Sequence, residues 1–105
     1  MAQRVNEQEF EEKVIPFPGL AIVDFYSDSC VPCKRMSPVL SALEAQYADD
    51  ILIVKVNVAY EKELIQKYQI MSTPTFLFLK KGEVVDRFSG AKRKEELEQI
   101  IEANK

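Results

Sequence analysis

The sequence contains no histidine and no tryptophan, and only two cysteines and three glycines among 105 residues. Without histidine the chain can build neither a Ser-His-Asp triad nor a Cys-His pair, and it offers no imidazole to a metal. Two cysteines alone also fall short of the four Cys/His ligands of a structural zinc site, so only a metal shared between two chains would remain. No flavin or nicotinamide motif is present, and no bound cofactor is expected. Apolar stretches stay well under the ~20 residues that span a bilayer. Met1-Ala2-Gln3-Arg4-Val5 leads into acidic sequence and not into the apolar core of a secretory signal, so the expectation is a cytoplasmic protein with no membrane association. Basic charge is not in excess either: 14 Lys and Arg face 17 Asp and Glu, net −3, which gives no electrostatic reason to bind nucleic acid. Chemistry is left to thiols, carboxylates, lysines and hydroxyls.

What is present is a foldable core: 47% hydrophobic and 30% charged residues, with no linker and no repeat, read as one domain over residues 1–105. Asn6 and Glu9 have capping-box spacing, with Phe10 and Val14 one turn apart, and Pro16 and Pro18 end that short helix at Ile15. Leu20 to Tyr26 is a nearly continuous apolar run, the pattern of a strand covered on both faces. Met36, Val39, Leu40, Leu43 and Tyr47 recur at helical spacing between Val31 and about Ala48, with Pro38 inside. A second buried strand over Ile51–Val58 and a short helix over Glu61–Tyr68 follow. Lys80-Lys81-Gly82 then joins strands Thr75–Leu79 and Glu83–Phe88, and a last helix covers about Lys92–Ala103. Phe25, Phe76, Phe78 and Phe88 fall on the strand patterns as core. Early strands joined through helices should be parallel and the final hairpin antiparallel, in an α/β sandwich.

Cys30-Val31-Pro32-Cys33 follows the first long strand and opens the long helix. Unpaired N–H groups and the partial positive charge of a helix N-terminus favour a thiolate over a thiol. Two intervening residues let both sulfurs meet around the first turn, and Pro32 suits that turn because it has no N–H to lose. Such a pair can open and close as a reversible disulfide without moving the fold. Other polar positions stay open on the residues alone. Asp24 is either a solvent-facing strand residue or an inward acid with a raised pKa. Lys55 fits a solvent-facing position, Thr73-Pro74 an ordinary break before a strand, and Gly90 a loop. Lys92-Arg93-Lys94, followed by Glu95 and Glu96, reads as a solvated helix start.

Val23-Asp24-Phe25, Cys30-x-Pro32-Cys33-Lys34, Pro38, Lys55-x-Asn57, Thr73-Pro74-Thr75, Gly82 and Ser89-Gly90-Ala91 together resemble the thioredoxin family over essentially the whole chain. The resemblance implies a thioredoxin fold, a central five-stranded mixed β-sheet flanked by four helices, and adds a first strand around Gln3–Val5. It implies that Cys30 is the nucleophile, Cys33 the resolving thiol, Asp24 a buried proton acceptor for Cys33, and Lys55 a lysine that moderates Asp24. It also implies a cis proline at Pro74, with Thr73 and Gly90 beside it in a groove that pairs with extended substrate backbone. The partners would be disulfide-bearing proteins and a thioredoxin reductase, and the protein a monomer.

The chain departs from the family pattern around this groove. Ser29 and Tyr26 stand where the family commonly has tryptophan, Val31 replaces a glycine between the cysteines, and Ala59 and Tyr60 replace an acidic position. Substrate contact at Ser29 should therefore be smaller and more polar. Val31 and Pro32 tune the couple without donating a hydrogen bond to a thiolate, so a reducing or only mildly shifted potential is expected. The expected function is reduction of protein disulfides. The alternative is a binding module of the same fold whose disulfide is regulatory or vestigial.

Overall fold

Side-chain alternation along one buried strand sets the layers of the molecule. The computed structural model describes residues 2–105. In β2 (Leu20–Tyr26), Ala21, Val23 and Phe25 point to one face and join a core containing Phe10, Val14, Val54 and Leu64. Leu20 and Ile22 point to the other face and pack with Met36, Leu40, Leu43, Phe78 and Leu97. Both faces of the strand are therefore covered, as its unbroken apolar run requires.

Beside β2 lies β3 (Ile51–Asn57) in parallel register, and beyond it β1 (Gln3–Arg4), also parallel. On the opposite side β4 (Thr75–Lys80) runs antiparallel to β2 and carries the edge strand β5 (Glu83–Ser89). The order β1-β3-β2-β4-β5 gives the expected five-stranded mixed sheet. The four flanking helices are α1 (Glu7–Glu9), α2 (Val31–Tyr47), α3 (Lys62–Tyr68) and α4 (Lys94–Asn104). Among the described residues no helix is long and apolar enough to cross a membrane.

Local chemistry accounts for most element ends. Glu9 N–H donates to Asn6 Oδ1 at 2.8 Å and Asn6 N–H to Glu9 Oε1 at 3.1 Å, which completes the capping box. The chain then widens into a π-helical turn, Phe10–Val14, in which Ile15 N–H reaches the Phe10 carbonyl at 3.2 Å. Helical spacing alone did not indicate that widening. Lys81 and Gly82 both take positive φ, 51° and 83°, as a two-residue hairpin loop demands, so β4 runs one residue further than expected, to Lys80. The Lys92 and Arg93 side chains lie against Glu96, at 3.8 and 3.5 Å, at the start of α4.

One core expectation needs correction. Phe88 is only half-buried, because β5 is the sheet edge and most of its residues face solvent. Its ring still packs on the core, against Phe76 and Phe78 with centroids 4.9 and 5.9 Å away.

Candidate active site

The strand-to-helix junction after β2 brings the two thiols together. Cys30 is the N-cap of α2, with extended backbone (φ −83°, ψ 108°), and Cys33 lies in the first turn. The Cα atoms are 5.2 Å apart and the sulfurs form a disulfide. Cys33 N–H donates to Cys30 Sγ at 3.2 Å, so a backbone donor that the helix would otherwise leave unpaired is aimed at that sulfur. Cys30 N–H is held by the Ser27 carbonyl at 3.3 Å. Pro32 occupies the first turn, where no N–H is needed, and Val31 is 56% exposed beside the disulfide.

Both cysteines are buried in the oxidised protein, at 8% and 5% exposure for Cys30 and Cys33. The asymmetry between them lies in hydrogen bonding, since Cys30 Sγ accepts the helix N–H.

Asp24 is an inward acid. Alternation places it on the same side of β2 as Leu20 and Ile22, the side that α2 covers, and it is 1% exposed with Oδ1 lacking a hydrogen-bond partner. Burial pushes its pKa from 3.8 up to about 7, and the charge of Lys55 pulls the other way. Lys55 is opposite Asp24 in the β2–β3 register. It is half-buried, and its Nζ lies 4.5 Å from the centre of the Tyr26 ring. Cys33, Lys55 and Tyr26 all line one cavity of about 120 Å³, together with Ser27, Asp28 and Ser37.

A second group forms at the start of β4. The Thr73–Pro74 peptide is cis and Pro74 is buried. Pro74 O accepts Gly90 N–H at 2.8 Å, which ties Gly90 to the proline. Buried Thr75 donates its hydroxyl to Ser72 O at 2.6 Å and contacts Ser89 Oγ at 3.2 Å. Ser27 joins the two groups: its Oγ lies 3.4 Å from Thr73 Oγ1, while its carbonyl holds Cys30 N–H. A shallow depression of about 370 Å³ runs from Ser27 and Thr73 past Val58, Ile65 and Met71, and Met71 is 91% exposed. Ser29, immediately before Cys30, is exposed.

Two contributors were not assigned from sequence. Asn57, fully buried at the end of β3, donates from Nδ2 to Asp28 Oδ1 at 3.4 Å and accepts Ala59 N–H on Oδ1 at 2.9 Å. It thereby couples the turn after β3 to the loop leading into the cysteines. The available signal was a polar side chain closing an apolar strand, which needs partners when buried. Ser27 gave no signal, because its bridging role depends on Thr73 lying 46 residues away.

Gly90 has φ +88°, and a Cβ built there would meet nothing within 4 Å. Within the chain, backbone conformation and not crowding selects glycine at this position. Gly90→Ala should cost about 1 kcal/mol for an L-residue in the left-handed region. For a domain of this size that lowers the melting temperature by about 4–8 °C, read by circular dichroism. A much larger drop would contradict the open space.

Among the described residues no group of three or more His, Cys, Asp or Glu is arranged to hold a metal ion. Comparison with known proteins adds the family context. The thioredoxin family model matches residues 1–103. A thioredoxin from Bacillus subtilis is 42% identical over 83 residues, 79% of this chain and 80% of that protein. A Staphylococcus aureus thioredoxin is 35% identical over 99 residues, 94% of this chain and 93% of its own. Thioredoxin-T of Drosophila melanogaster is 37% identical over 86 residues, which span 55% of that longer protein.

Proposed function

Because the chain belongs to the thioredoxin family and is a thiol-disulfide oxidoreductase, we propose that it works in the reducing direction on protein disulfides through Cys30 and Cys33. In the reduced protein Cys30, at the N-terminus of α2 and facing the Cys33 N–H, is the thiolate. It attacks one sulfur of the substrate disulfide. The Cys30–substrate S–S bond forms, the substrate S–S bond breaks, and the departing thiolate takes a proton from water. Cys33 gives its proton to Asp24 and attacks Cys30 Sγ. The intramolecular disulfide forms, the second substrate thiolate leaves, and two electrons have passed to the substrate. A separate thioredoxin reductase returns those two electrons.

Asp24 carries this reading. A carboxyl kept from water with a pKa near 7 can take a proton and release it again at neutral pH, which a surface aspartate cannot do efficiently. Lys55 limits how far burial raises it. Thr73, Pro74 and Gly90 receive extended substrate backbone, with Ser29 at the edge, while Val31 and Pro32 set the potential of the couple. The protein acts as a cytoplasmic monomer formed by one domain.

Insulin reduction tests the proposal. With dithiothreitol as electron source, the protein should bring forward the turbidity of the freed B chain relative to dithiothreitol alone. NADPH and a thioredoxin reductase should then replace dithiothreitol. No acceleration with either source would leave a binding module with an inert disulfide.

A further inference from the structure

We propose that Tyr26 is a positioning residue of this site, its ring holding the Lys55 ammonium and so fixing the positive charge that the Asp24 carboxyl feels. The inference rests on the roles of Asp24 and Lys55 proposed above. Its geometry follows from the sheet. Asp24 and Tyr26 are two residues apart on β2 and face the same side, while Lys55 is opposite Asp24 and Asn57 opposite Tyr26. Ring, ammonium and carboxyl are therefore placed together on the face that α2 covers.

Within this group the ammonium is found against the ring. Lys55 Nζ lies 4.5 Å from the centre of the Tyr26 ring, and among the described residues it makes no ion pair with Asp24. The negative face of an aromatic ring attracts an ammonium, and more strongly where water is partly excluded. Lysine has a long, flexible stem and a strongly hydrated head, and Lys55 lines a cavity open toward solvent. Without the ring, the head would extend through that cavity into water, as lysines do at apolar surfaces.

Distance then converts position into chemistry, because the pull of a cation on a buried carboxyl falls with separation and with solvent screening. The other charged or titratable groups on the cavity wall are Asp28, from the loop after β2, and Cys33 and Lys34, from α2. From β4 the neighbour in register is Phe76, which carries no charge. Lys55 is the charge identified as acting on Asp24. Asn57, opposite Tyr26, is committed to Asp28 and Ala59 and does not hold the lysine.

The test follows the Asp24 carboxyl by carbon-13 NMR against pH in the oxidised protein, where no thiol titrates. Tyr26→Phe keeps the ring, whereas Tyr26→Leu and Tyr26→Met remove it. The Leu and Met variants should raise the Asp24 midpoint by about 0.5 or more, and Tyr26→Phe should leave it in place. In a Lys55→Met background the Leu and Met substitutions should add nothing further, since their effect runs through the lysine. The proposal is overturned by an unchanged or lowered midpoint in the ring-less variants, by a Phe variant that shifts as far as Leu, or by a shift that persists without Lys55. Should Tyr26→Leu fail to fold, Tyr26→Met with and without Lys55 decides the matter. No substrate enters this titration, so a failure here leaves the insulin assay to stand or fall separately.

Discussion

Cys33→Ser, reduced and mixed with an oxidised protein substrate, is expected to accumulate a covalent adduct through Cys30, while Cys30→Ser accumulates none. Turnover should fall to the background of the reductant in both. The asymmetry comes from the helix. Cys30 is the N-cap sulfur that accepts the Cys33 N–H at 3.2 Å, so its thiolate is stabilised by a donor and by the positive end of α2. Cys33, inside the first turn, meets the mixed disulfide only after the first attack has occurred. Replacing its sulfur by oxygen removes the second nucleophile and leaves the first bond in place. Non-reducing electrophoresis and intact mass would show the adduct, and dithiothreitol would release it. The reverse pattern, with adducts on Cys30→Ser alone, would interchange the two roles.

Asp24→Asn is expected to make the oxidised protein more stable at pH 8 and to slow its turnover. Burial raises the Asp24 pKa from 3.8 to about 7, so between those values the folded protein keeps a proton that the unfolded chain has released. The folded state binds more protons over that window, and stability must therefore fall as pH rises from about 4 to about 7. At about 1.4 kcal/mol per pH unit the loss approaches about 4 kcal/mol. Asparagine does not ionise, and this fall should disappear. Its amide still loses water on burial, a cost of about 1–3 kcal/mol, so the net gain at pH 8 should be about 1–3 kcal/mol. Urea unfolding at several pH values measures both, and a wild-type curve that is flat between pH 4 and 7 would remove the premise. Turnover at pH 7 should fall by about tenfold or more, because the variant lacks the proton acceptor proposed for Cys33. Greater stability with lower activity separates this outcome from simple damage to the core.

Most of the scaffold was legible because it depends on local pattern. The apolar run at Leu20–Tyr26, the capping box at Asn6 and Glu9, and the Lys81-Gly82 turn each place their element through short-range chemistry. The π-helical turn at Phe10–Val14 was not legible, since helical periodicity tolerates one widened turn without changing which residues face inward. Phe88 was misjudged for a different reason. An aromatic residue on a strand pattern looks like core until the strand proves to be the sheet edge.

The same division runs through the site. Absence of histidine and the placement of Cys30-Val31-Pro32-Cys33 at a strand-to-helix junction by themselves pointed to thiol redox chemistry. They did so because a helix N-terminus and a two-residue spacing act over a few ångströms of contiguous chain. Whether Asp24 faced water or the interior, whether Gly90 had open space beside it, and where the Lys55 ammonium lies relative to the Tyr26 ring depended on partners up to dozens of residues away. Tertiary structure decided those points. It alone sets which face of β2 is covered by α2, and a carboxyl's proton affinity is set by the water and charge around it, not by its neighbours in sequence.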